Sequence, residues 1–441
     1  MRTTVSIKHL LKYLVAFIAA VCISAGSLAS SLPAQQSQAA QQPDDVLTVS
    51  LLTCYPGAEV YALCGHTAIR VRSAAMDSVW NYGLFDFTEP NFLYRFVKGE
   101  TDYRLGGYPF AWFLPEYVER GSKVVEQEIN FTQPEAHRLL RELRNESLPQ
   151  NCTYRYNYVR DNCATRVIER IDKAAGAKIL YPGFSRYGTY RREMRAYHAN
   201  YPWYQLGIDI ALGSGLDRDL SPREEMFVPI ELMDKASKAT FPDGRPFVRA
   251  TKVLNEGTPR AVLPPTPWYL TPLFWAAIVA AIAIAVAVFD IRRGKCLRLV
   301  YSLYWLLVGL AGIVVWFLAF FSTHEATSPN IHIWWLTPLM LVSAVTIWIP
   351  RLHHVTNVLA WVGGIGTLLI LVMWPFQPQV NNPAIYPLMA AELALCIAYA
   401  RWHAVGRVCT AAKPQRKQGR TPRPAAKIPK RRATTAERRR K

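Results

Sequence analysis

Cys163 is the side chain best placed to do chemistry. In the string D-N-C-A-T-R-V-I-E-R it falls in the first turn of an expected helix, with Asp161 and Asn162 as natural N-caps. Unpaired backbone N–H groups and the helix dipole favour a thiolate there, which makes the sulfur a nucleophile. His66, in C-G-H-T-A-I-R-V, is the best base. If residues 66–72 form a strand, Thr67, Ile69 and Val71 point to the core, while His66, Ala68 and Arg70 point to an accessible face. Gly65 beside the histidine permits close approach by another element. The segment D-S-V-W-N-Y-G returns after a turn near Ser73 to Met76. Pairing His66 with Asn81 centres that hairpin, and the Asn81 amide then holds the imidazole in its working tautomer. A one-residue slip brings Trp80 or Tyr82 there instead, so Tyr82 joins Asp161 and Asn162 as a supporting candidate. Cysteine, histidine and asparagine together make an activated-nucleophile constellation.

Two bland readings compete with this one. Cys163 is equally readable as a buried or disulfide-bonded residue, because Cys54, Cys64 and Cys152 share its expected oxidising compartment. With Cys163 free, at most one bridge forms among the other three, and Cys64 with Cys152 is the expected pair. A zinc site from Cys64, His66, Cys152 and Cys163 is the rival arrangement, but it lacks the close paired-cysteine spacing of structural zinc modules. The thiol reading needs no metal and no cofactor.

The elements that must position these residues follow from hydropathy. Leu47 to Thr53, His66 to Arg72 and Ser78 to Tyr82 read as strands. Residues 134–144 begin with Pro134 and place Leu139, Leu140 and Leu143 at helical spacing; residues 161–175 do the same with Val167, Ile168 and Ile171. Strands and helices in mixed order imply an α+β domain over residues 45–262, large enough for one well-buried core.

The formal net charge of +19 raises the question of nucleic acid, and its placement answers it. Residues 31–262 hold 28 basic and 28 acidic side chains, whereas residues 401–441 hold 15 basic and one acidic. A neutral domain offers no electrostatic footprint for a duplex. The basic end reads as a disordered tail anchored to an inner leaflet.

Apolar segments define the rest. Residues 13–25 form a run too short to span a bilayer, preceded by Arg2, Lys8 and Lys12 and followed by small residues. That is the pattern of a secretory signal peptide over residues 1–29. Val21 before Cys22 argues against a lipid-modified cysteine. A Gln/Ala-rich spacer at 30–44 follows. Five segments, at 268–289, 299–321, 331–349, 355–374 and 383–400, are each near the roughly 20 residues a membrane helix needs, and they define a transmembrane domain at 263–400. Arg292, Arg293, Lys295, Arg298 and Arg351 occupy alternate loops, while 322–330 and 375–382 contain no Lys or Arg. Positive charge marks the cytoplasmic side, so the α+β domain is expected outside and the C-terminus inside. Glu392 falls within the fifth span, where an ionisable group needs a partner; His332 or a lipid headgroup is the candidate.

The strings L-L-T-C-Y-P-G-A-E-V-Y-A-L-C-G-H-T-A-I-R-V, W-N-Y-G-L-F-D-F, Y-N-Y-V-R-D-N-C-A-T-R and P-W-Y-Q-L-G-I-D-I-A-L-G-S-G-L-D-R, in that order before several membrane helices, resemble the Lnb family of bacterial lipoprotein N-acyltransferases. Cys64 stands where the pattern more often has an aromatic residue. The resemblance implies a circularly permuted papain-like (NlpC-like) domain with histidine ahead of cysteine, followed by a five-helix bundle. It implies transfer of a fatty acyl chain from a membrane phospholipid, through a Cys163 thioester, to the α-amino group of a diacylglyceryl-cysteine lipoprotein. The expected location is a bacterial inner membrane, with the catalytic domain in the periplasm. Phe85, Phe87, Phe92 and Tyr94 are candidates to line an acyl groove, with core packing as the alternative. Trp203, Asp209 and Asp217 are candidates for the acceptor site, with a structural role for Asp209 as the alternative. Two other functions stay open: a papain-like peptidase acting on peptidoglycan, which has little need of five membrane helices, and a non-catalytic envelope scaffold in which Cys163 is bridged.

Overall fold

The computed structural model describes residues 46–86, 88–258 and 263–411. The signal peptide, the spacer, Phe87 and most of the basic tail lie outside that range. Seven strands form one antiparallel sheet: β1 (Thr48–Cys54), β2 (His66–Arg72), β3 (Asp77–Leu84), β4 (Asp102–Pro109), β5 (Val124–Ile129), β6 (Thr153–Arg155) and β7 (Val248–Asn255), in spatial order β6-β4-β3-β2-β1-β5-β7. The three strands expected from apolar alternation are its centre. The helices around it are α1 (Phe92–Lys98), α2 (Phe110–Glu119), α3 (Gln133–Glu146), α4 (Cys163–Ala175), α5 (Tyr190–Tyr197), α6 (Pro202–Ala211), α7 (Pro222–Glu225) and α8 (Pro229–Ala236).

Both faces of the central strands are covered. On one face Leu51, Ile69, Val71 and Tyr82 pack with Leu139 and Leu143 of α3 and Val167, Ile168 and Ile171 of α4. Each such aliphatic contributes on the order of 1.5–3 kcal/mol. On the other face Leu52, Cys54, Ala68 and Val79 meet Phe113 and Tyr117 of α2. The His66 face expected to be open is therefore roofed by α2, and Ala68 and Arg70 are buried. Alternation identifies two faces of a strand but cannot say that an amphipathic helix will cover the second.

The second half is a bundle of α9 (Pro272–Arg293), α10 (Arg298–Phe320), α11 (Leu339–Thr346), α12 (His353–Met373) and α13 (Ile385–Ala411). Among the described residues four helical stretches are long and apolar enough to cross a membrane: Pro272–Arg293, Arg298–Phe320, Pro350–Phe376 and Ile385–Val405. The third expected span differs. It is a 3-10 turn at Ile331–Trp334 followed by the short α11. Pro338 at the start of α11 and the tight approach of Gly312 of α10 to the backbone of Thr337 and Pro338 mark the interruption. The broken segment still traverses the bundle. Trp316 of α10 donates to the Ile333 carbonyl, and Ser302, about 21 Å away along the same helix, donates to the Ala344 carbonyl. Small residues allow close helix approach: Ala276, Ala280, Ala283 and Ala287 of α9 are buried where it packs on α13. The last helix continues to Ala411, past the boundary at residue 400 read from hydropathy.

The two halves meet through many polar contacts at one end of the bundle. Arg195 donates to the Asn381 carbonyl (3.0 Å), Asn382 to Asp209 (2.9 Å), Asn330 to the Ile210 carbonyl (2.9 Å), and the Thr323 N–H to the Lys98 carbonyl (2.8 Å). These contacts use the two loops without Lys or Arg.

Candidate active site

α4 starts at Cys163 because Asn162, in extended geometry, caps it. The Asn162 Oδ1 accepts from the N–H groups of Ala164 (2.9 Å) and Thr165 (3.0 Å), and its Nδ2 donates to the carbonyls of Tyr158 (2.8 Å) and Phe227 (2.9 Å). Such a cap contributes about 1 kcal/mol. Here it also fixes where the first turn, and hence the sulfur, begins. Asp161 is not a cap. It forms a two-pronged ion pair with Arg166 (2.5 and 2.7 Å), whose guanidinium lies 3.6 Å from the Tyr154 ring centre.

His66 opens β2 directly after Gly65, which has φ +79°. A Cβ at Gly65 would stand 2.5 Å from the Cys54 carbonyl oxygen, so the turn that delivers the histidine requires glycine. The β2–β3 register sets Ile69 opposite Trp80 and Arg70 opposite Val79, two residues away from the direct His66–Asn81 pairing expected from the turn. A shift of two keeps the face, and diagonal neighbours still touch: His66 Nε2 lies 2.5 Å from Asn81 Oδ1. Asn81 Nδ2 donates to the Tyr108 hydroxyl (2.8 Å), which turns the amide oxygen toward the ring. The imidazole therefore donates through Nε2–H and leaves Nδ1 for Cys163, its other side-chain hydrogen-bond partner. Tyr117 of α2 stacks on the imidazole at 6.4 Å between centroids, nearly parallel.

The electrostatics favour an ion pair. Burial works against charge at Cys163, but the His66 charge, its hydrogen bond, and the backbone N–H groups of Thr67 and Ala164 outweigh it and hold the thiol below its ordinary value. Burial likewise opposes charge on His66, yet the facing Cys163 and then Asn81 raise it above its ordinary value. The neighbouring thiols go the other way. Burial pushes Cys64 up to about 12 against a hydrogen bond from Tyr158, and pushes Cys54 up as well. Of these three thiols only Cys163 is held below its ordinary value. The N–H groups of Thr67 and Ala164 both point at the sulfur.

Other expected site residues lie elsewhere. Tyr82 points to the opposite face of β3, is 1% exposed and donates to Glu146 (2.5 Å); the pleat that brings Asn81 to His66 sends Tyr82 away. Phe85 packs between Tyr103 and Phe92. Trp203 donates to the Leu270 carbonyl (2.7 Å) at the link to the bundle. Asp209 is fully buried with Arg191 (3.1 Å) and Arg195 (3.1 Å), and Asp217 joins the cluster through Arg191 (2.8 Å). Cys54, Cys64, Cys152, Cys163, Cys296 and Cys396 are free thiols, so the expected Cys64–Cys152 bridge is not formed. Cys64 instead faces the Tyr158 hydroxyl (3.3 Å), and Cys152 donates toward the Pro149 carbonyl. Among the described residues no three His, Cys, Asp or Glu side chains form a metal-binding group, so the alternative zinc arrangement is not assembled. Glu392 contacts Cys396, one helical turn along, rather than His332. Sequence reasoning missed Tyr108, Tyr117 and Arg191. The first two are ordinary strand and helix aromatics until strand order puts them beside Asn81 and His66.

The profile of the Lnb N-terminal periplasmic domain matches residues 34–195, and that of the Lnb transmembrane domain matches residues 265–405. No curated protein and no solved structure matches the chain. The two profiles follow one another in the order of the two halves described above, and the first spans His66, Asn81 and Cys163: the chain belongs to the Lnb family.

Proposed function

We propose that the protein is a lipoprotein N-acyltransferase with a permuted papain-like domain, and that Cys163, His66 and Asn81 carry the reaction. The observation that supports this most is the Cys163–His66–Asn81 chain, with its lowered thiol and raised imidazole, on a domain bonded directly to loops of the helix bundle. The Cys163 thiolate attacks the ester carbonyl of a phospholipid, with the oxyanion held by the Thr67 and Ala164 N–H groups. The carbon–oxygen ester bond breaks, the His66 imidazolium gives its proton to the departing alkoxide, and a lysophospholipid leaves. The free α-amine of a diacylglyceryl-cysteine then attacks the thioester. His66, now neutral, takes the amine proton, the carbon–sulfur bond breaks, and an amide and the thiolate–imidazolium pair result. Losing one oxyanion donor costs roughly 100-fold or more in rate.

In this reading the bundle has five crossings, counting the broken segment at 331–346. The end bonded to the α+β domain faces the periplasm. Arg292, Arg293, Lys295, Arg298 and Arg351 sit in the helix ends and turns at the other end and face the cytoplasm with the C-terminus. Both substrates are membrane-held, which accounts for a domain joined to the bundle without a long linker. Mass spectrometry of lipoprotein N-termini from cells carrying native protein or Cys163→Ala tests the reaction. The N-acyl group is expected to vanish in the variant. Its persistence, with no redundant enzyme present, defeats the proposal.

A further inference from the structure

A strip of aromatic rings runs from the neighbourhood of Cys163 to the rim of the membrane bundle. Tyr156, Phe85 and Cys163 all pack, partly buried, on the edge of the main core, and burial followed by the charge at Cys163 pushes the Tyr156 hydroxyl up. From Tyr156 the rings continue through Tyr103 (centroids 4.3 Å apart), Phe85 (5.0 Å), Phe92 (5.9 Å) and Phe96 (6.1 Å) to His324 (6.4 Å). His324 belongs to the bundle loop after α10, and its Nε2 lies 2.8 Å from the Phe96 carbonyl oxygen.

The far end of the strip opens on apolar surface. No residue of α1 is fully buried, although five of its seven are apolar or aromatic. Leu93, Tyr94 and Phe96 are exposed. Tyr94 meets Phe317 of α10 at 6.1 Å, beside Phe320 and Phe321, which are 57% and 66% exposed on the bundle's outer side. An exposed apolar helix continuous with the lipid-facing surface of membrane helices is suited to lie in the interface of a bilayer, not in water. Along the strip there is a cavity of only about 10 Å³, lined by Phe96, Gly99, Thr101, Tyr103, Tyr156 and His324, room for roughly one water. The rings are closed on one another and must part to admit a chain.

We infer that this strip is the acyl-chain path. The hydrocarbon tail of a membrane phospholipid enters beside α1, displaces the packed rings of Phe96, Phe92 and Phe85, and lies against Tyr103 and Tyr156 with its ester at the Cys163 sulfur. This rests on the phospholipid-donor reading above and adds the route and the surface that admits the donor.

The test uses full-length Cys163→Ala protein in nanodiscs containing a phosphatidylethanolamine with a diazirine at the acyl terminus, so that binding is read without turnover. After irradiation, cross-linked peptides are expected to cover α1 and its flanks, residues 88–99, where the acyl terminus lies when the ester is at Cys163, as well as the outer faces of α9 to α13. Labels confined to α9–α13 overturn the path. In a second measurement, Phe96→Glu, a change at a half-exposed position, is expected to lower acyl transfer at least about tenfold; transfer at the native rate overturns the path. The two readings fail separately. Labels in the strip without lipoprotein N-acylation support the path and sink the transferase, while N-acylation with labels only on the bundle sinks the path alone.

Discussion

The lowered Cys163 thiol and the raised His66 imidazole make a definite prediction for pH. Falling pH protonates the sulfur only below the ordinary thiol value of 9.0, so alkylation of Cys163 by iodoacetamide persists under conditions where an ordinary thiol is silent. Rising pH past the raised imidazole value removes the proton that the departing alkoxide needs, so transfer falls again on the alkaline side. His66→Ala removes the charge that does most to stabilise the thiolate. The alkylation profile is then expected to move up toward or above 9.0, and acyl transfer to fall by about 10²–10⁴-fold. An unchanged profile would mean that the two groups do not interact. Asn81→Ala leaves the imidazole free to turn. Loss of one hydrogen bond to a charged group, roughly 1.5–3 kcal/mol, corresponds to about a 10–100-fold drop in kcat with little change in KM, and steady-state kinetics with a phospholipid donor distinguishes the two parameters.

At the scale of elements, the site depends on two starts: β2 after Gly65 and α4 after Asn162. Gly65→Ala introduces a Cβ 2.5 Å from the Cys54 carbonyl at a left-handed residue that costs about 1–2 kcal/mol even in open space. A lower melting temperature together with slower Cys163 alkylation is expected; a drop in stability alone would mean that the turn does not set the histidine's position. The start of α4 was legible in D-N-C, because a side chain that caps a helix must sit immediately before it. Which of Asp161 and Asn162 does the capping was not, since both are good caps. The choice falls to Asn162, whose amide can accept from the helix and donate to Tyr158 and Phe227 at once, and to Asp161's nearer partner, Arg166. The hairpin register was misread by two residues, yet the contact survived because strand faces repeat every second residue. The third membrane segment shows the opposite limit. Hydropathy averages over some twenty residues and cannot resolve a helix broken at Pro338.

For the molecule as a whole, the buried cluster of Arg191, Asp209, Asp217 and Arg195 joins the two halves. Asp209 reaches both arginines and the Asn382 amide of the bundle. Asp209→Ala leaves the fully buried Arg191 with one carboxylate fewer. Breaking such a pair costs about 3–5 kcal/mol, expected as a marked loss of thermal stability of the intact protein in detergent. A melting temperature within a degree of native would show that the cluster does not hold the halves together.

Hydropathy and charge placement alone determined that the chain has an α+β domain followed by apolar helices, because burial period and bilayer thickness leave their mark on local sequence. Cys163 and His66 were legible because a helix start and a strand after glycine are local events. Tertiary structure alone decided that α2 roofs the histidine, that Tyr108 sets the Asn81 amide, that Tyr82 turns away, and that Asp209 binds the two halves. Each of those depends on which distant segments are brought side by side, and contact between residues far apart in the chain leaves no period in a single sequence.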